Sequence, residues 1–125
     1  MRTITILGAG GNMGRRIAGP LREAGTFDIR YVEPGEAGRA RLAAAGVAAT
    51  ELEAALPGTD LVIFAVPDAI VRHVAADVVP RLDPGASVLF LDPAAIAAGR
   101  IEKRGDINCF VTHPTHPPLY SLLSE

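Results

Sequence analysis

The residues best suited to chemistry lie in a glycine-rich turn near the start of the chain. A β-branched run ends at Leu7, and the sequence then reads Gly-Ala-Gly-Gly-Asn-Met-Gly before a helical pattern begins. Glycines let the backbone approach a ligand closely because they have no Cβ atom. The following helix would direct unpaired amide groups and the positive end of its dipole towards an anion. This arrangement is typical of a site for the pyrophosphate of a dinucleotide.

The spacing of these glycines departs from the most common dinucleotide-binding pattern. In Gly-x-Gly-x-x-Gly, the first two glycines would be Gly8 and Gly10, but Met13 stands where the third belongs. Two other registers end at Gly14, namely Gly-x-x-Gly-x-x-Gly from Gly8 and Ala-x-Gly-x-x-Gly from Ala9. A tight turn without a ligand is the alternative interpretation of such a loop. The cofactor contacts predicted in the loop are Gly8, Ala9, Gly10, Gly11, Asn12, Met13 and Gly14.

An acidic residue follows the second predicted strand. Glu33 comes after Tyr31 and Val32, near the interval from the glycines at which a carboxylate binds the hydroxyls of the adenosine ribose. Because such a carboxylate would repel the 2′-phosphate of NADP, Glu33 predicts NAD as the cofactor. An ordinary exposed glutamate is the alternative for Glu33. Arg39 or Arg41 could bind a 2′-phosphate, so NADP is the second prediction.

These residues need a scaffold in which strands and helices alternate. Strands are predicted at residues 3–7, 27–32, 47–49, 61–66, 87–91 and 108–112. The run at 61–66 is continuously apolar, which is typical of a parallel strand covered on both faces. The sequence therefore predicts an α/β fold, a doubly wound parallel (Rossmann) sheet of about six strands with helices on both faces. This dinucleotide-binding domain is predicted to span residues 1–112.

Composition narrows the classes of partner and location. The 125 residues suit one domain, and a net charge of −2 without a basic tract argues against a nucleic-acid partner. A single cysteine, Cys109, excludes a disulfide within the chain and suits a reducing cytoplasm. The longest strongly apolar run is too short to span a bilayer, so no membrane partner is predicted.

The segment Asp-Leu-Val-Ile-Phe-Ala-Val-Pro-Asp at residues 60–68 resembles the 6-phosphogluconate dehydrogenase-like superfamily, which includes ketol-acid reductoisomerases. In these families the Ala-Val-Pro turn lies against the adenosine and the nicotinamide-side ribose. The resemblance implies that Val66, Pro67 and Asp68 contact the cofactor. A helix N-cap is an equally good role for Asp68.

Two proline-flanked histidines follow the last predicted strand. His113 and His116 are each followed by proline, which fixes φ and keeps the segment extended, so the rings cannot share a helical face. Without a nearby carboxylate or cysteine they predict no metal site. They favour acid–base chemistry or binding of a substrate carboxylate, and we predict both as catalytic residues. A rigid hinge with solvated histidines is the alternative.

The His-Pro-x-His-Pro-Pro run is similar to that of a group with a phosphogluconate dehydrogenase-type C-terminal domain, to which D-apionate oxidoisomerases belong. The resemblance implies an NAD-dependent oxidoreductase that acts on a small hydroxy acid or sugar acid and is a homodimer at full length. Residues 113–125 would lead into a helical domain that lies beyond this chain. The rival prediction is a non-catalytic module that senses NAD.

Overall fold

The described part of the chain folds around one parallel sheet. A computed structural model describes residues 2–66, 68–90 and 106–111. The strands are β1 (Arg2–Leu7), β2 (Phe27–Val32), β3 (Leu61–Phe64), β4 (Ser87–Phe90) and β5 (Asn108–Val111). The helices are α1 (Asn12–Ala24), α2 (Glu36–Ala44), α3 (Leu52–Ala55) and α4 (Asp68–Val78), which continues into a 3₁₀ turn at Val79–Arg81. The strand order is β2-β1-β3-β4-β5, and every pair is parallel.

The sheet has its topological switch point at β1. From β1 the chain adds β2 on one side and later β3 on the other. Leu7, the last residue of β1, is level with Val32 in β2 and with Phe64 in β3. Ligands of open α/β sheets bind outside the carboxyl ends of the strands at such a point. The residues that immediately follow these three strands are therefore placed around one crevice.

Apolar side chains cover both faces of the sheet. On β3, Val62 and Phe64 belong to the cluster that contacts α3 and α4, whereas Leu61 and Ile63 belong to the cluster that contacts α1 and α2. Alternate strand residues point to opposite faces, so a continuously apolar strand needs helices on both sides. The ring of Phe64 stacks on that of Phe90 with centroids 4.7 Å apart. The predicted doubly wound α/β fold is confirmed.

The strand predicted at residues 47–49 is wrong. Val47 N–H donates to the Leu42 carbonyl, 2.9 Å away, as the chain leaves α2, and Thr50 N–H then donates to the carbonyl of Tyr31 in β2. The alanines between them are exposed and form no strand. Alanine has a low strand propensity and offers little side chain to bury, so Ala48 and Ala49 gain little from pairing with the sheet. The described residues contain five strands, and the count of about six is not confirmed.

Two further predictions concern the limits of the fold. None of the helices in the described ranges is long and apolar enough to cross a membrane. The domain boundary predicted after residue 112 lies outside the described residues.

Candidate functional site

The glycine loop, residues 8–14, turns the chain sharply from β1 into α1. Gly8 has a φ of +80°, and an added Cβ there would lie 2.5 Å from the carbonyl oxygen of Ala65. Gly14 packs just as closely on the start of the loop, because its added Cβ would lie 2.7 Å from Ala9 Cα. A tight first turn and a close helix–strand contact are what the first and third glycines of the motif provide. The geometry thus fits the Gly-x-x-Gly-x-x-Gly register of Gly8, Gly11 and Gly14.

Gly11, the middle glycine of the register Gly8, Gly11 and Gly14, lies at the start of α1. Gly11 is the N-cap residue, and an added Cβ would lie 3.4 Å from Gly8 O, an ordinary contact distance. It makes no side-chain cap, and the first turn, which includes Asn12 and Met13, has no acidic residue. The first amides of a helix have no partner within it. This end of α1 therefore offers donors and a positive dipole end to an anion.

The carboxylate of Glu33 joins the glycine loop to the start of α2. Oε1 accepts a hydrogen bond from Gly10 N–H at 2.9 Å, and Oε2 accepts one from Gly35 N–H at 3.0 Å. Gly38, buried in the first turn of α2, passes so close that an added Cβ would lie 2.7 Å from Oε1. Glu33 itself is half-buried. Its carboxylate is therefore held in one place by two backbone amides.

Two arginines of α2 hold backbone carbonyls in the same region. The Nε of Arg39 donates to the carbonyl of Glu33 at 2.6 Å, and its Nη2 lies 3.5 Å from Oε1 of Glu51, with both side chains largely exposed. The Nε of Arg41 donates to the carbonyl of Gly10 at 2.7 Å. These contacts were not predicted, because the sequence suggested only a 2′-phosphate as a partner for the two arginines. Each guanidinium instead fixes backbone beside the predicted ribose contact.

A cleft of about 340 Å³ opens between the strand ends and α4. Gly8, Glu33 and Val66, all predicted as cofactor contacts, line it together. The α4 helix contributes four residues that were not predicted from the sequence as part of the site, Ile70, His73, Val74 and Asp77. Their i, i+3, i+4, i+7 spacing marks one helix face and is the signal that could have found them. Ile70 is 45% exposed, unusual for a large apolar residue in this fold.

The remaining predicted site residues lie at or beyond the ends of the described ranges. Asp68 begins α4, and Pro67 lies outside the described residues. The predicted catalytic pair, His113 and His116, also lies outside them. Within the described ranges, no three His, Cys, Asp or Glu residues are grouped so that they could hold a metal ion.

Comparison with known proteins fits this geometry. Residues 1–120 match the family described as acetohydroxy acid isomeroreductase, NADPH-binding domain. The chain belongs to this family. One relative of this chain is D-apionate oxidoisomerase of Rhizobium rhizogenes. The two are 44% identical over 122 residues, which cover 97% of this chain and 44% of the relative. The chain thus spans less than half the length of that curated relative.

Solved structures show the same fold as this isomeroreductase-type domain. A semialdehyde dehydrogenase NAD-binding protein from Cupriavidus necator, solved with calcium and NAD, superposes with a TM-score of 0.86 at 42% identity, covering 94% of this chain and 42% of that one. An NADH-preferring ketol-acid reductoisomerase from an uncultured archean shares the fold with a TM-score of 0.76 at 21% identity, covering 95% of this chain and 38% of that one. The resemblance inferred from the motifs is confirmed.

Proposed function

We propose that this chain is the NAD-binding domain of a longer oxidoreductase that acts on a small hydroxy acid or sugar acid. The observation that carries the proposal is the Glu33 carboxylate, held beside the glycine loop at the edge of the cleft. Bound NAD would supply the oxidant: the substrate carbinol would become a carbonyl by loss of a hydride from carbon to the nicotinamide and of its hydroxyl proton to water. The described residues would bind and orient the cofactor.

Glu33 fits the adenosine ribose of NAD. Each oxygen of its carboxylate accepts one backbone amide, and a carboxylate oxygen can accept a second hydrogen bond. Both oxygens therefore retain capacity for the two ribose hydroxyls. The same negative charge would repel a 2′-phosphate. NADP is the second candidate, because the matched family is described as NADPH-binding and two arginines, Arg39 and Arg41, lie nearby.

The rest of the loop and cleft fits the other parts of a dinucleotide. The uncapped start of α1 at Gly11 suits the pyrophosphate. The apolar side chains of Val66, Ile70 and Val74 give the cleft a wall against which an adenine ring could pack. Contacts from Asn12, Met13, Pro67 and Asp68 belong to this proposal.

The substrate class rests on the relatives. D-apionate oxidoisomerase is the name of a 44% identical relative, and we propose a similar oxidation of a branched sugar acid, coupled to migration of a carbon group. His113 and His116 would contact the substrate. Because the relative is more than twice as long, this activity is proposed for a longer, homodimeric protein of the cytoplasm in which residues 113–125 lead to a C-terminal helical domain.

Fluorescence titration with NADH and with NADPH tests the cofactor assignment. We expect NADH to bind more tightly, and Glu33→Gln to weaken NADH binding by about tenfold, because one accepting oxygen becomes an NH₂ group. Glu51→Gln is the matched control, since Glu51 also lines the cleft but is exposed and pairs with Arg39. Equal or tighter binding of NADPH would contradict the NAD assignment. If neither NADH nor NADPH binds, the proposal of a dinucleotide site is contradicted.

The substrate class is tested with the longer protein that carries this domain. Branched sugar acids and simpler hydroxy acids are incubated with NAD, and formation of NADH is followed by absorbance. We expect turnover with at least one acid of these classes. Binding of NADH without turnover of any of them would leave the rival prediction, an NAD-sensing module, as the better one.

A further inference from the structure

The shape of the glycine loop depends on residues outside the loop. Both polar groups of Gly10 are bound by side chains, its N–H by Glu33 and its carbonyl by Arg41. Gly10 also lies directly against the first turn of α2, where an added Cβ would be 2.6 Å from Gly38 Cα. Gly10 and Gly38 are both buried. The centre of the loop is therefore fixed by Glu33, which directly follows β2, and by α2.

Gly38 provides the space that the Glu33 side chain occupies. The three atoms nearest to a Cβ built on Gly38 all belong to Glu33, with Cγ at 2.5 Å and Oε1 at 2.7 Å. Oε1 is the atom that accepts the Gly10 amide. Any side chain at position 38 would have to push this carboxylate away. The flexible end of Glu33 can move, whereas the surrounding backbone cannot move as easily.

We propose that Gly38 is a specificity-determining position of the dinucleotide site and acts through Glu33. The inference rests on the proposed function, in which Glu33 binds the adenosine ribose. Gly38 is a positioning residue, because it contacts the carboxylate that would contact the cofactor. Its lack of a side chain keeps that carboxylate across the start of α2, where it both holds Gly10 and presents negative charge to the 2′ position of the ribose.

This role differs from a purely structural one in its effect on the two cofactors. If Glu33 is displaced, NAD loses its ribose acceptor, whereas NADP loses a repulsive charge as well as the ordered loop. Arg39 and Arg41 would still lie on the same helix. Affinity for NADH should therefore fall more than affinity for NADPH. General damage to the domain would weaken both to a similar extent.

A double-mutant cycle on NADH and NADPH binding tests the proposal with wild type, Gly38→Ala, Glu33→Ala and the double variant. We expect Gly38→Ala alone to weaken NADH binding about tenfold and to lower the preference for NADH over NADPH. In the Glu33→Ala background it should change NADH binding less than about twofold, because its target is gone. Ala43→Ser is the control, since Ala43 is an exposed residue of the same helix. An unchanged cofactor preference, or effects that multiply, would overturn the proposal.

Hydrogen exchange of the Gly10 amide separates this inference from the proposed function. Exchange should be faster in Gly38→Ala than in wild type without any dinucleotide present. If wild type binds neither cofactor, the proposed function fails, but Gly10 exchange still shows whether Gly38 keeps Glu33 on the loop. Unchanged exchange contradicts the inference even if NADH binds. If Gly38→Ala does not fold, restored folding in the double variant supports it, and failure of the double variant contradicts it.

Discussion

Two polar networks lie at opposite ends of the sheet and use similar bonds for different purposes. At the amino end of β3, the Thr5 hydroxyl lies 2.9 Å from the Thr59 hydroxyl and 3.1 Å from the carbonyl of Ala55. Nη1 of Arg30 donates to the carbonyls of Ala55 and Pro57, both at 2.7 Å. In this Thr5–Thr59 network both threonines are buried, and the hydroxyl of each has hydrogen-bond partners within the protein. Its bonds join α3 and the following connection to the strands.

The second network, formed by Gly10, Glu33 and Arg41, lies at the carboxyl end of the strands and borders the cleft. Glu33 and Arg41 hold the two polar groups of Gly10 much as Thr5 and Arg30 hold α3. However, these bonds border a cleft, and the start of α1 beside them has no side-chain cap. Hydrogen bonds from side chains to backbone thus complete the core in one place and order the proposed binding surface in another. Order that exists before a ligand binds lowers the entropic cost of binding.

The largest expected effect comes from Gly8→Ala at the carboxyl end. Alanine is strained at φ +80°, and its Cβ would contact the Ala65 carbonyl, so we expect a loss of stability on the order of 3 kcal/mol and loss of NADH binding. Urea unfolding measures the first effect and fluorescence titration the second. Gly25→Ala, at the end of α1, is the matched control, because φ there is +68° but an added Cβ meets nothing within 4 Å, so we expect a loss of only about 1–2 kcal/mol and unchanged NADH binding. Equal stability of the two variants would show that the loop is not tightly built.

The strand ends and the acidic residue of the site are predictable from the sequence because their signals are local. A β-branched strand, a glycine turn and a helix follow one another within residues 2–24, and Glu33 directly follows the next strand. Pattern and turn chemistry determine such features without knowledge of distant contacts. The same reasoning fails at residues 47–49, where a weak strand pattern is not supported by side chains that could be buried.

The partners of the glycine loop are not predictable in this way. The contacts of Gly10 with Gly38 and Arg41 join residues about thirty positions apart, and they exist because α2 packs against the loop. A glycine in the first turn of a helix has no obvious meaning in the sequence, since its value lies in the space left for Glu33. The sequence predicts a ribose contact for Glu33, and the structure adds the protein groups that hold its carboxylate.

An intermediate effect is expected from Thr5→Val at the amino end. Valine has nearly the same shape but removes the hydroxyl, which leaves the buried hydroxyl of Thr59 with fewer partners and should cost about 1–2 kcal/mol of stability. NADH affinity should stay unchanged, because this network does not border the cleft. Thr5→Ser, which keeps the hydroxyl, is the control for hydrogen bonding. A clear loss of NADH affinity in Thr5→Val would mean that the two networks are coupled, and the comparison would fail.

The smallest effect is expected from Tyr31→Phe, because the Tyr31 hydroxyl makes none of the hydrogen bonds that define the two networks. Burial raises the pKa of the Tyr31 phenol above its ordinary value of 10.0, because the phenolate loses solvation, and the nearby Arg22 guanidinium partly opposes this. The folded state therefore favours the neutral phenol. Its contribution to stability is fully present below the unfolded pKa and is lost as the pH rises through the higher folded one.

Urea midpoints measured across this alkaline range should fall slightly more steeply for wild type than for Tyr31→Phe. NADH affinity at neutral pH should be the same in both, because the bonds that order the loop next to β2 come from its backbone, through the carbonyl of Val32 to Gly8 N–H and Ala9 N–H. If the two proteins have identical alkaline profiles, the Tyr31 hydroxyl is solvated in the folded state. If Tyr31→Phe weakens NADH binding, side-chain packing on this face also orders the loop, and the carboxyl-end network would have to include it.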